Sequence, residues 1–100
     1  MTGVLTVVAK IHPRAGREGD VEALLVKMAA AVRQHEPDCL VYRPHRSAGQ
    51  PATFYFYEQY RTGAAFEFHR TAPHLAGYRG ELKDLVARPT EIETYRSLTA

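Results

Sequence analysis

The sequence predicts an α+β chain, with one antiparallel sheet and its helices packed on a single face. Three observations point there. A β-branched run, VLTVVAKIH at residues 4–12, ends at Pro13, which is the composition and boundary of a strand. Between Glu18 and Glu36, Val21, Leu24, Leu25, Met28 and Val32 recur at spacings that place them on one helical face. Thr53 to Tyr60 reads TFYFYEQY, the strongest strand signal in the chain.

The remaining elements follow in order. Arg14 to Gly19 contains two glycines and reads as a loop. Ala29, Ala30 and Ala31 raise the helix propensity of the segment after it. Asp20 suits its positive N-terminal end, and Pro37 stops it. Cys39 to Ser47 is a second strand. Pro44 has no N–H to give a ladder, so this strand belongs at an edge. Ala48-Gly49-Gln50-Pro51 is a turn. Thr62 is a good N-cap for the helix GAAFEFHR. Thr71-Ala72-Pro73 interrupts that helix and starts another, with Leu75, Tyr78, Leu82 and Leu85 at helical spacing. Gly77 and Gly80 within it mark a bend or close packing, and Pro89 ends the helical region. Thr90 to Tyr95 is a last strand. The order β-α-β-β-α-(α)-β is the split βαβ arrangement of ferredoxin-like folds. Right-handed crossovers put both helical connections on the same side of the sheet.

Bulk properties narrow the function. One hundred residues, 45% of them hydrophobic and 24% charged, form one domain over 1–100. The net charge is +2 with acids and bases interspersed, so no basic face marks a nucleic-acid partner. No apolar run approaches the roughly 20 residues of a membrane span, and the N-terminus lacks the basic start of a signal peptide. A single cysteine, Cys39, fits a reducing cytoplasm and reads as a plain buried thiol.

The third strand bears on assembly. Phe54 and Phe56 point to one face and Tyr55 and Tyr57 to the other. Leu5 and Val7, against Val4 and Val8, repeat the two-sided pattern. The chain's own helices cover one face only. A second copy of the same sheet is the simplest cover for the other, so a homodimer is expected. Tyrosines that tolerate water at their hydroxyl ends are the alternative.

At this point the residues resemble a family. The run Phe54-Tyr55-Phe56-Tyr57-Glu58-Gln59-Tyr60, then Ala64-Ala65-Phe66, His69 and Thr71-Ala72-Pro73-His74, is similar to the antibiotic biosynthesis monooxygenases. Cys39-Leu40-Val41-Tyr42 and Gly16 add to the likeness, which covers residues 4–98. The resemblance implies a dimeric α+β barrel, two ferredoxin-like subunits pressed sheet to sheet. It also implies oxygenation of phenols, anthrones or quinols without a cofactor, although the family includes haem-degrading enzymes and isomerases. The haem branch shares an Asn, a Trp and a His. Here those positions fall at Ala9, near His69 and near Arg79, and the chain has no Trp, so haem is not expected.

A cofactor-free oxygenase must bind an electron-rich phenol or enol in a dry cavity and ionise it. His69, one turn after Phe66, is the candidate base, because histidine titrates near neutrality. A core histidine bonded to a carboxylate is the competing reading. Tyr42, Tyr57, Glu58, Phe66 and His74 are the candidate substrate-binding residues. Glu58 shares the face of Phe54 and Phe56, where a buried carboxylate needs a partner: a histidine, or Arg43 or Arg46 on the neighbouring strand. His74 reads as a surface histidine near the mouth. The five histidines make no HxxxH or HxH pair, so no metal is expected, and there is no phosphate loop or nucleotide fingerprint. The sequence thus favours a cytoplasmic, homodimeric, cofactor-independent monooxygenase that takes a small aromatic substrate and O2. Behind it stand an isomerase on the same scaffold and a non-catalytic small-molecule-binding or stress-response dimer.

Overall fold

The computed structural model describes residues 3–99; residues 1, 2 and 100 of the expected 1–100 domain lie outside them. Four strands and three helices follow one another as β1 (Leu5–Ile11), α1 (Glu18–His35), β2 (Cys39–Arg46), β3 (Phe54–Tyr60), α2 (Gly63–Arg70), α3 (Pro73–Leu85) and β4 (Glu91–Arg96). The sheet order is β2-β3-β1-β4, and every neighbouring pair is antiparallel. This is the ferredoxin-like α+β fold, with Pro44 on an edge strand as its missing N–H requires.

Register decides which side chains share a face. Val7 lies opposite Glu58, Ala9 opposite Phe56, and Ile11 opposite Phe54. Tyr42 lies opposite Glu58, after a register shift between Cys39 and Val41. Strand side chains alternate, so Val7, Ala9, Ile11, Tyr42, Phe54, Phe56 and Glu58 all point to one side. There they meet α1 through Val21, Leu24, Leu25, Met28 and Val32, and α3 through Leu75 and Leu82, all buried. The expected helical face of α1 is the one that is buried.

The other side carries Val8, Tyr55 and Tyr57 together with Lys10 and Arg43. No helix of the described residues covers it. Tyr55 and Tyr95 are exposed there, so the two-sided aromatic pattern of β3 persists in the fold.

The C-terminal half keeps its expected helices but changes where the last one ends. The break at Thr71-Ala72-Pro73 does separate two helices, and Thr62 caps α2 as expected, by accepting from the Ala65 amide. Helix α3 ends at Leu85, before Pro89, because Val86 turns extended and bridges Pro13. The Arg14 amide donates to the Leu85 carbonyl, and the Ala87 amide to that of His12. These bonds tie the end of α3 to the end of β1. Close packing does not explain Gly77 and Gly80, since a Cβ at either would meet nothing within 4 Å. Gly16, by contrast, turns the chain into α1 at φ 83°, a left-handed conformation that favours glycine. Among the described residues no helix is long and apolar enough to cross a membrane.

Candidate active site

Between the helical side of the sheet and the helices lies a cavity of about 600 Å³. Its walls are mostly apolar, from Val7, Ala9, Ile11 and Phe56 below and Met28, Phe66 and Leu82 above. Tyr42, Glu58, His69 and Arg79 bring the polar atoms of its inner end. A few convergent polar groups in an apolar hollow is the usual composition of a small-molecule site.

His69 stands at the end of α2, buried. Its Nδ1 lies 3.0 Å and 3.1 Å from the two carboxylate oxygens of Glu36. Glu36 is itself buried and binds a second imidazole, His74 Nε2, at 2.6 Å from Oε2. The carboxylate therefore engages Nδ1 of His69 and leaves Nε2 for the cavity that the ring lines. Three aromatic rings enclose this imidazole: Tyr42 at 5.0 Å, Tyr60 at 5.3 Å and Phe66 at 6.4 Å between centroids. Burial pushes the His69 pKa below its ordinary value, against the opposing pull of Glu36. The shift favours the neutral imidazole, the form a base must have before it takes a proton.

Glu58 lies across the cavity floor on β3, also buried. The Tyr60 hydroxyl donates to its Oε1 at 2.6 Å. Neither arginine of β2 reaches it: Arg46 pairs with Glu22 at 2.7 Å, and Arg43 lies opposite Tyr57 on the other face. The expected ion pair is replaced by a phenol–carboxyl bond. Desolvation lifts the Glu58 pKa from 4.5 to about 7, with the Tyr60 bond pulling the other way. Burial and the neighbouring carboxyl together push Tyr60 well above the ordinary phenol range. Burial and then Glu58 do the same to Tyr42, whose ring stacks on Phe56 at 4.1 Å. Both phenols stay protonated and remain donors.

The Glu58 shift has a measurable consequence. A carboxyl whose pKa is higher in the folded state than in the unfolded chain stabilises the fold at low pH. That stability is lost as pH rises from 4.5 through about 7. The size is about 3 kcal/mol at mildly alkaline pH. Glu58→Gln keeps an acceptor for Tyr60 and cannot ionise. In urea unfolding it should match the parent near pH 4 and exceed it by about 3 kcal/mol near pH 8. A difference that does not vary with pH would refute the shift.

The other sequence candidates divide. Phe66 lines the cavity beside His69. Tyr57 lies on the opposite side of the sheet, paired with Val8 and Arg43, and cannot line it. His74 is not a solvated surface residue: its side chain is 12% exposed and bound to Glu36, and its ring stacks on His35 at 4.8 Å. Its place is behind His69 rather than at the mouth.

Two residues were not foreseen. Glu36 sits at the C-cap of α1, where an acid opposes the helix dipole; that misfit was a legible sign of another role. Arg79 follows Leu75 by four residues and precedes Leu82 by three, so it falls in register with the buried face of α3. Its guanidinium donates to the carbonyls of His69 and Arg70 at 2.7 and 2.8 Å, satisfying the open end of α2. Among the described residues no group of three or more His, Cys, Asp or Glu could hold a metal ion.

The sequence model for antibiotic biosynthesis monooxygenases matches residues 4–81. Rv0793 of Mycobacterium tuberculosis, named as a candidate monooxygenase, is 32% identical over 92 residues, which are 92% of this chain and 89% of that one. Its solved structure superposes with a TM-score of 0.86 at 29% identity over 97% of both chains. PA3566 from Pseudomonas aeruginosa gives a TM-score of 0.87 at 28% identity, covering 99% of this chain and 98% of that one. A Caulobacter crescentus structure at 23% identity shares the fold, with a TM-score of 0.90 over 98% and 92% of the two chains. The site described above is thus carried by a member of the antibiotic biosynthesis monooxygenase family.

Proposed function

We propose that this monooxygenase acts on a quinol, phenol or polycyclic enol with O2 and without metal or flavin. The observation that carries the reading is the His69 imidazole, oriented through Nδ1 by a buried carboxylate and lining an aromatic cavity. Nε2 takes the proton of the bound phenol or enol, and Tyr42 donates a hydrogen bond to the oxygen that becomes negative. The substrate anion passes one electron to O2. The two radicals combine into a carbon–peroxide bond, and its O–O bond then breaks. One oxygen stays as a new carbonyl and the other leaves as water. The methylene of the substrate's keto form and one O2 thereby give a carbonyl and one water. The apolar walls raise the energy of the unprotected anion in favour of its oriented, hydrogen-bonded form.

Oxygen consumption tests this. With a hydroquinone and anthrone panel and no added cofactor, one O2 should disappear per product formed. Absence of uptake across the panel would refute the reading. Enolisation of a carbonyl compound without uptake would favour an isomerase, for which Glu58, raised to about 7 in the same cavity as His69, offers a second proton carrier.

The assembly we propose is a homodimer through the uncovered sheet side, supported by Val8, Tyr57 and the exposed Tyr55 and Tyr95. One free thiol suits a reducing cytoplasm. Sedimentation at micromolar concentration should report twice the 11.2 kDa chain mass; a particle of single-chain mass would refute the dimer.

A further inference from the structure

The proposed oxygenation leaves the charge of the substrate open, and the outer end of the cavity bears on it. Besides the inner Arg79, four cations line the cavity: Arg14, Arg70, Lys83 and Arg88. Glu58, at the opposite end, is the one acid among the described residues that does so. Of the outer four, Arg70 is neutralised by Glu67 at 3.0 Å. The other three form no ion pair with a carboxylate among the described residues, although Glu91 lies near enough to feel the Arg88 charge. Arg14 donates to the backbone carbonyl of Asp84. Arg88 donates to the His12 ring at 3.1 Å, while the nearby Glu91 is engaged by His12 Nε2 at 2.9 Å. The Lys83 ammonium forms no ion pair or hydrogen bond with any described residue. The acids of α3 face elsewhere: Glu81 and Asp84 border a separate depression with Arg17 and Lys27.

These three cations are placed by the fold. The bonds between residues 12–14, just past β1, and residues 85–87 fix Arg14 and Arg88 at the same end of the cavity, and Lys83 projects from the last turn of α3. Val7 marks the Glu58 end of β1, and His12 the Arg88 end. Five residues of strand separate them, about 17 Å. The cavity is therefore long and apolar, with the His69 imidazole at one end and at the other a positive cluster that Glu91 offsets only in part, through Arg88.

We infer that the cavity is selective for an anionic aromatic ligand, its carboxylate or sulfonate held among Arg14, Lys83 and Arg88 and its ring system extended toward His69. Charge at the mouth also concentrates such a ligand before it binds. The inference rests on the proposed use of this cavity, but its test is separate from turnover.

Two dyes share a skeleton and differ in charge: 1-anilinonaphthalene-8-sulfonate and the neutral N-phenyl-1-naphthylamine. Fluorescence titration of the intact protein should show the sulfonate binding about tenfold more tightly at low salt, the preference shrinking toward unity near 0.5 M salt. The exposed double variant Lys83→Ala/Arg88→Ala should weaken the sulfonate dye by about tenfold and leave the neutral dye unchanged. Equal affinity for the two dyes, a parallel loss of both in the variant, or no binding of either would overturn the inference. Oxygen uptake with neutral hydroquinones and no dye selectivity would overturn it while sparing the proposed chemistry. Selective sulfonate binding without oxygen uptake would do the reverse.

Discussion

His69→Gln is expected to lower the rate of substrate oxygenation by about 10²- to 10⁴-fold, the usual contribution of a positioned general base. The glutamine fills much of the ring's space and can still donate to Glu36, so the fold should persist. Burial lowers the proton affinity of the His69 imidazole, against the pull of Glu36, and the ring keeps a free nitrogen lone pair. A glutamine amide has no comparable basicity. The rate against pH separates a chemical role from a packing role. The parent should lose activity as pH falls through the lowered His69 pKa, and the variant should lose that limb. His69→Ala gives a second reading, since a small added imidazole can occupy the vacated space and restore part of the rate. A His69→Gln enzyme with parental turnover and the same acid limb would remove His69 from the chemistry and shift attention to Glu58.

The second large effect falls on stability. Glu36→Ala should cost about 3 kcal/mol, lowering the melting temperature by about 10–20 °C in a chain of this size. The carboxylate satisfies two imidazoles at once, and both His69 and His74 lie largely out of solvent. Its removal strands two polar rings that water does not readily reach, and unmet buried polar groups are costly. Glu36→Gln should be intermediate, because an amide retains one acceptor. Thermal unfolding read by circular dichroism measures this directly. An alanine variant melting within about two or three degrees of the parent would mean that the two imidazoles find other partners and that the bridge is weak.

The fold was readable wherever periodicity alone decides a residue's environment. The five apolar positions of α1 needed no tertiary information, and neither did the dense run of β3 or the cap at Thr62. The inner end of the cavity was harder, because its members meet only after the sheet has its register. The alternation along β3 already turns Tyr57 away from Phe54 and Phe56, whereas nothing local decides the face of Tyr42. The shift between Cys39 and Val41 and the pairing of Tyr42 with Glu58 send Tyr42 toward the helices, while Tyr57 faces away. Glu58 was visible as a carboxyl on an apolar face, but its partner was not. Arg46 is drawn away to Glu22 on α1, and Tyr60, only two residues along the same strand, reaches back. Glu36 and His74 are 38 positions apart, and no local pattern joins them. His69 was visible as a candidate, but the carboxylate that orients it was hidden at the end of another helix.

Cys39 offers a practical consequence. Its thiol is half-buried, gives its hydrogen bond to the Val41 carbonyl, and is pushed up to about 12, chiefly by burial and then by Glu36 and Glu58. Near pH 8 only about one molecule in ten thousand would carry the thiolate on which alkylation depends. The native chain should therefore resist maleimide reagents under ordinary conditions. A cysteine introduced on an open loop, at Thr90 for example, could carry a spectroscopic reporter at the cavity rim without first removing the natural one.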